Sequence, residues 1–86
     1  MKESKESRPL ERDIQSKIIQ RYQREGYMVV KLILTNHNGF PDLMLLKDGV
    51  ASFVEVKRPN EKPRPLQEYR IKELERYGFS VSVLTD

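Results

Sequence analysis

The chain has 86 residues, no cysteine and one histidine, and its 16 Lys and Arg against 13 Asp and Glu leave a net charge of +3. One small domain is expected at this length, with neither a disulfide framework nor a thiolate or multi-histidine metal centre. No apolar run is long enough to cross a bilayer and the charged N-terminus carries no signal-peptide pattern, so a cytoplasmic location with no membrane partner is expected, and the mild basic bias is compatible with a polyanion.

Residues 1–8 alternate Lys, Glu, Ser and Arg with no apolar side chain after Met1, which predicts a flexible N-terminus ahead of a single domain over 9–86. Pro9 pre-sets the first turn of a helix capped by Ser7 or Arg8. Leu10, Ile14, Ile18 and Tyr22 recur at helical spacing, Asp13–Lys17 and Arg21–Glu25 pair four apart, and Gly26 is the stop. Glu11 falls in the first turn, where the helix dipole or a capping box accounts for an acidic residue without any further role. Residues 27–34 are almost continuously apolar and predict a strand covered on both faces. Lys31 is the isolated charge within it and either snorkels or reaches a phosphate. Thr35-Asn36-His37-Asn38-Gly39 is a turn by composition, with DNA contact the lesser reading for Asn38.

The next segment carries the chemistry. Asp48-Gly49 between the runs 40–46 and 51–57 predicts a two-residue type I′ hairpin, because both central positions need positive φ. Such a loop pairs Lys47 with Val50, and counting outward pairs Met44 with Phe53 and Asp42 with Glu55. Directly opposed side chains lie roughly 5 Å apart at Cβ, so two carboxylates there repel. A divalent cation reverses the sign. Period two then puts Asp42, Glu55 and Lys57 at the end of one apolar face with Met44, Leu46 and Phe53. Hard oxygen ligands suit Mg²⁺ or Mn²⁺, which take one or two carboxylates and leave other positions to water and phosphate. A neighbouring lysine can orient water or neutralise developing phosphate charge. An odd loop length or a bulge would break this pairing.

Lys57, Arg58, Lys62 and Arg64 cluster after the hairpin, opposed only by Glu61, as either a solvated loop or a phosphate-contacting one. Pro59, Pro63 and Pro65 exclude a central strand, and Pro65 opens a second helix running to about Tyr77, stopped by Gly78. Gln67, Ile71 and Leu74 share a face of that helix. Its amide is either bonded to a carboxylate or water, or partly exposed beside the proline loop. Tyr69 is expected to be buried at a packing edge. Residues 79–84 alternate as a closing strand. The order α-β-β-β-α-β, with a parallel last step, predicts an α/β fold with one mixed four-stranded sheet flanked by two helices.

Asn38-Gly39-Phe40-Pro41-Asp42-Leu43 followed by Glu55-Val56-Lys57 resembles the PD-(D/E)xK nuclease superfamily. With Glu11 in the first helix and Gln67 in the second, the pattern is more narrowly similar to the VRR-NUC domain, over roughly Pro9 to Leu84. The resemblance implies a restriction-endonuclease-like core. It implies Asp42, Glu55 and the backbone carbonyl of Val56 as ligands of Mg²⁺ or Mn²⁺, with Glu11 helping, directly or through water. Lys57 would orient the attacking water and Gln67 would support it. Stand-alone members resemble Holliday-junction resolvases, which implies a homodimer acting on branched DNA such as four-way junctions. Lys31, Asn38, Arg58, Lys62 and Arg64 are the candidate nucleic-acid contacts. The rival expectation is a non-catalytic nucleic-acid-binding module on the same fold.

Overall fold

The computed structural model describes residues 10–86. The elements run α1 (Glu11–Arg24), β1 (Met28–Lys31), β2 (Leu43–Lys47), β3 (Val50–Val56), α2 (Pro65–Arg76) and β4 (Ser80–Leu84). They form one sheet in the order β1-β2-β3-β4, antiparallel between β1, β2 and β3 and parallel between β3 and β4. This is the expected α-β-β-β-α-β order and mixed sheet. The flexible N-terminus expected over residues 1–8 and the Ser7 or Arg8 cap lie outside the described residues. Helix α1 begins at Glu11 with Leu10 as its N-cap, two residues beyond the proline expected to open it.

The hairpin forms as its turn residues demand. Asp48 and Gly49 adopt φ of 53° and 77°, the positive values of a type I′ turn. Lys47 pairs with Val50 and Met44 with Phe53. Period two then divides the side chains. Leu43, Leu45, Val54 and Val56 pack with Ile14 and Ile18 of α1 as the main core, each contributing about 1.5–3 kcal/mol by leaving water. Met44, Phe53 and Glu55 take the opposite parity, on the side where α2 lies. There Phe53 sits edge-on between Phe40 and Phe79, 5.6 Å from each, a geometry that suits the ring quadrupoles.

Two expectations fail. The strand predicted over 27–34 stops at Lys31, and Ile33 and Leu34 are 84% and 92% exposed. β1 is an edge strand covered by α1 on one face, so its apolar run continues into a loop rather than into the sheet interior. Tyr69, expected to be buried, is 53% exposed, because the face of α2 turned inward carries Gln67 and Leu74 instead. No helix of the described residues is long and apolar enough to cross a membrane.

Candidate active site

At the open end of the β2–β3 hairpin, four side chains from three segments come together, and Glu11 of α1 lies within electrostatic reach of them. The β2–β3 ladder ends at Leu43 paired with Val54, so the next step outward sets Asp42 against Glu55, as the turn arithmetic required. Beyond that step the backbone ladder is replaced by a side chain: Asp42 Oδ2 accepts the Val56 N–H at 2.7 Å. The Asp42 carbonyl in turn accepts the Leu32 N–H at 2.8 Å. Asp42 is thereby held between β1 and β3 by both its backbone and its carboxylate.

Glu55 is 1% exposed and Lys57 is 7% exposed. Parallel pairing with β4 extends to the Lys57 N–H, which donates to the Leu84 carbonyl at 2.9 Å. The Lys57 ammonium lies 3.7 Å from Glu55 Oε2, and Gln67 Nε2 donates to that same oxygen at 2.8 Å. The other end of the Gln67 amide accepts the Arg64 N–H at 2.8 Å, closing the N-terminus of α2 as the third residue of a helix is placed to do. Of the two readings open for Gln67, the carboxylate-bonded one is observed. One amide thus ties the start of α2 to the buried glutamate.

The electrostatics follow from this crowding. Burial, then the neighbouring Asp42, push the Glu55 carboxyl up to about 7, with Lys57 pulling the other way. Burial also raises Asp42, against the Val56 hydrogen bond and Lys57. Glu11 is raised by burial and then by Asp42 and Glu61, with Lys57 and Arg58 opposing. Its carboxylate therefore feels the hairpin end and the loop after β3 as well as the dipole of its own helix, in whose first turn it lies.

The donor set has one feature that a hard cation answers. Glu55 Oε1 is buried with no hydrogen-bond partner, a condition that costs a carboxylate about 1–3 kcal/mol or more. A proton or a cation relieves it. Among the described residues no three acidic, His or Cys side chains form a closed metal cage. An open site with two carboxylates fits Mg²⁺ or Mn²⁺, which retain waters and bind substrate phosphate.

The structure brings together Asp42, Glu55, Lys57 and Gln67, with Glu11 within electrostatic reach of Asp42 and Lys57. The other sequence candidates lie around them: Lys31 exposed at the end of β1, Asn38 exposed in the next loop, and Lys62 and Arg64 exposed before α2, with Arg58 partly covered. Lys57, which the sequence placed both at the hairpin end and at the head of that basic loop, is withdrawn into the site. Arg70 was not singled out. Its Nε donates to the Asn38 carbonyl at 3.1 Å, and its position three residues after Gln67, on the same side of α2, was the available signal.

Comparison with known proteins decides the family. The VRR-NUC domain model matches residues 8–85. The chain belongs to the VRR-NUC domain family, a nuclease family. A solved structure of a "VRR_NUC domain" superposes with a TM-score of 0.77 at 36% identity, covering 85% of this chain and 81% of that one. A protein of Acyrthosiphon pisum secondary endosymbiont phage 1, named "Putative nuclease p44", is 33% identical over 75 residues, 86% of this chain and 81% of that protein. The α/β core read from the residues is therefore the core of this VRR-NUC chain.

Proposed function

We propose that this VRR-NUC chain is a Mg²⁺- or Mn²⁺-dependent DNA endonuclease, selective for branched DNA such as four-way junctions and active as a homodimer in the cytoplasm. The observation that carries the reading is the buried, partnerless Glu55 Oε1 beside Asp42 and Lys57. A structural hairpin end has no reason to sequester an unpaired carboxylate oxygen, whereas a ligand does.

In this reading Asp42, Glu55 and the Val56 carbonyl hold the cation, with Glu11 assisting directly or through water. The cation, when bound, supplies Lewis-acid stabilisation of the phosphate and a more acidic water. Asp42 is already oriented by the Val56 N–H, so one of its oxygens is committed and the other is left for ligation. Gln67 engages Glu55 Oε2, which leaves Oε1 available to the cation. Lys57 orients the attacking water and offsets charge that develops on the phosphate oxygens. Hydrolysis breaks the bond from phosphorus to the 3′ oxygen and leaves a 5′-phosphate. Lys31, Asn38, Arg58, Lys62 and Arg64 contact the DNA backbone around the cut. Two copies supply the two cuts that a branch point needs, and Tyr77, Phe79 and Val83, exposed near the β4 edge, offer apolar surface for pairing.

The test is cleavage of supercoiled plasmid and of a panel of four-way junctions, flaps and linear duplexes with Mg²⁺ or Mn²⁺. Wild type is expected to nick, to prefer the branched members, and to lose activity in Asp42→Ala. DNA binding with no cleavage across metals and DNA shapes would replace the enzyme with a binding module.

A further inference from the structure

The segment between β1 and β2 leaves the sheet and returns to it at one hydrogen-bonded pair, Leu32 and Asp42. Leu32 donates its N–H to the Asp42 carbonyl, so residues 33–41 form a loop with both feet at a proposed metal ligand. The loop is fastened to α2. Arg70 Nε holds the Asn38 carbonyl, and Gly39, at φ +79°, lies so close to Leu66 that a Cβ would fall 2.9 Å from Leu66 Cγ and 3.0 Å from its carbonyl oxygen. Thr35 Oγ1 donates to the His37 carbonyl and accepts the His37 N–H, and Pro41 is fully buried. From this anchored loop project Leu34 and Ile33, the two most exposed large apolar side chains among the described residues.

We propose that Ile33 and Leu34 form an apolar wedge that enters the base stack where duplex DNA is interrupted, beside the phosphate to be cut. The inference rests on the nuclease reading and names what its substrate has in common: a break in stacking. Aliphatic side chains perform this role elsewhere by filling the space between unstacked bases, and the unstacking is cheapest where the helix is already broken. Charge favours DNA over a second copy of the chain as the occupant. Residues 31–41 contain no acidic side chain, and the pair is flanked by Lys31, Asn36, His37 and Asn38, a setting suited to a polyanion. Reach sets the scale. Two extended residues carry Leu34 at most about 7 Å from Leu32, and the cross-strand step to Asp42 adds about 5 Å. With base steps of roughly 3.4 Å, the cut falls within about four nucleotides of the break.

The experiment pairs Ile33→Ser with Leu34→Ser in one variant and Ile33→Val with Leu34→Met in a second, both at exposed positions. 2-Aminopurine is placed at the break of a gapped or three-way DNA, and fluorescence is read in EDTA at protein concentrations that saturate anisotropy. Wild type and the Val/Met variant are expected to raise the fluorescence at least about twofold as the base unstacks, and the Ser variant to leave it unchanged. With Mg²⁺, the ratio of kcat/KM on broken over intact duplex is expected to fall about tenfold in the Ser variant. An equal fluorescence rise in the Ser variant overturns the wedge, as does a wild type that unstacks nothing. Sedimentation showing a wild-type dimer split by the Ser pair makes these residues a subunit contact and also overturns it. Failure of wild type to cut any DNA would remove the nuclease reading alone, since the fluorescence assay needs no cleavage.

Discussion

Replacing Glu55 by Gln isolates the electrostatic cost stored in the site. Burial and Asp42 raise this carboxyl from 4.5 to about 7. Between those values the folded protein keeps a proton that the unfolded chain has released. Stability therefore falls as pH rises through that window and stays reduced above it. A displacement of roughly 2.5 pH units corresponds to about 3 kcal/mol once Glu55 is ionised. Gln retains an acceptor for Gln67 Nε2, which now bonds Glu55 Oε2, and puts an amide group where the partnerless oxygen lies. Metal-free Glu55→Gln is expected to exceed wild type by about 1–3 kcal/mol at about pH 8, or roughly 5–15 °C in Tm. Most of that advantage should vanish at about pH 5, where wild type carries the proton too. Urea titrations and thermal melts in EDTA across this range measure it. Added Mn²⁺ should then raise the Tm of wild type at about pH 8 and leave the variant unmoved. A wild type as stable at high pH as at low pH, or a variant that gains nothing at high pH, would refute the claim that the fold holds a strained carboxylate ready for a cation.

Asp42 separates charge from hydrogen bonding. Asp42→Ala strips the acceptor from the Val56 N–H and is expected to cost about 1–3 kcal/mol of metal-free stability in urea titrations. Asp42→Asn keeps an acceptor and relieves repulsion, so its stability should equal wild type or exceed it by up to about 1 kcal/mol; both variants should lose the Mn²⁺ shift in Tm, and an Asn variant as weak as Ala contradicts the geometry. Lys57→Met should lower kcat by about 10²–10⁴ while a metal-induced Tm rise persists; loss of that rise would make Lys57 a part of the metal site rather than a partner of the water. Gly39→Ala combines positive φ with a Cβ 2.9 Å from Leu66 and should destabilise by about 1–3 kcal/mol in denaturant, and an unchanged midpoint would show that the loop is not held against α2.

What the residues disclosed about this fold depends on what each demands of its surroundings. Asp48-Gly49 demands positive φ at two positions, and that requirement propagated outward through period two to set the register, the core parity and the approach of Asp42 to Glu55. Gln67 demands partners for both ends of its amide on an inward face, and the carboxylate and the helix cap answer it. Glu11 was ambiguous because a first-turn acid satisfies the dipole whichever way it points; only the placement of α1 near the hairpin end brings it within electrostatic reach of Asp42. Ile33 and Leu34 failed differently. Apolar character states what a side chain avoids and not what covers it, so the run 27–34 read as one buried strand. Its first part packs beneath α1, yet its last two members stand in solvent. A loop pinned by Arg70 and Gly39 and closed on Asp42 has too little freedom to fold those side chains away. Their exposure follows from how this end of the sheet is closed, and unstacked bases are the surface proposed to meet them.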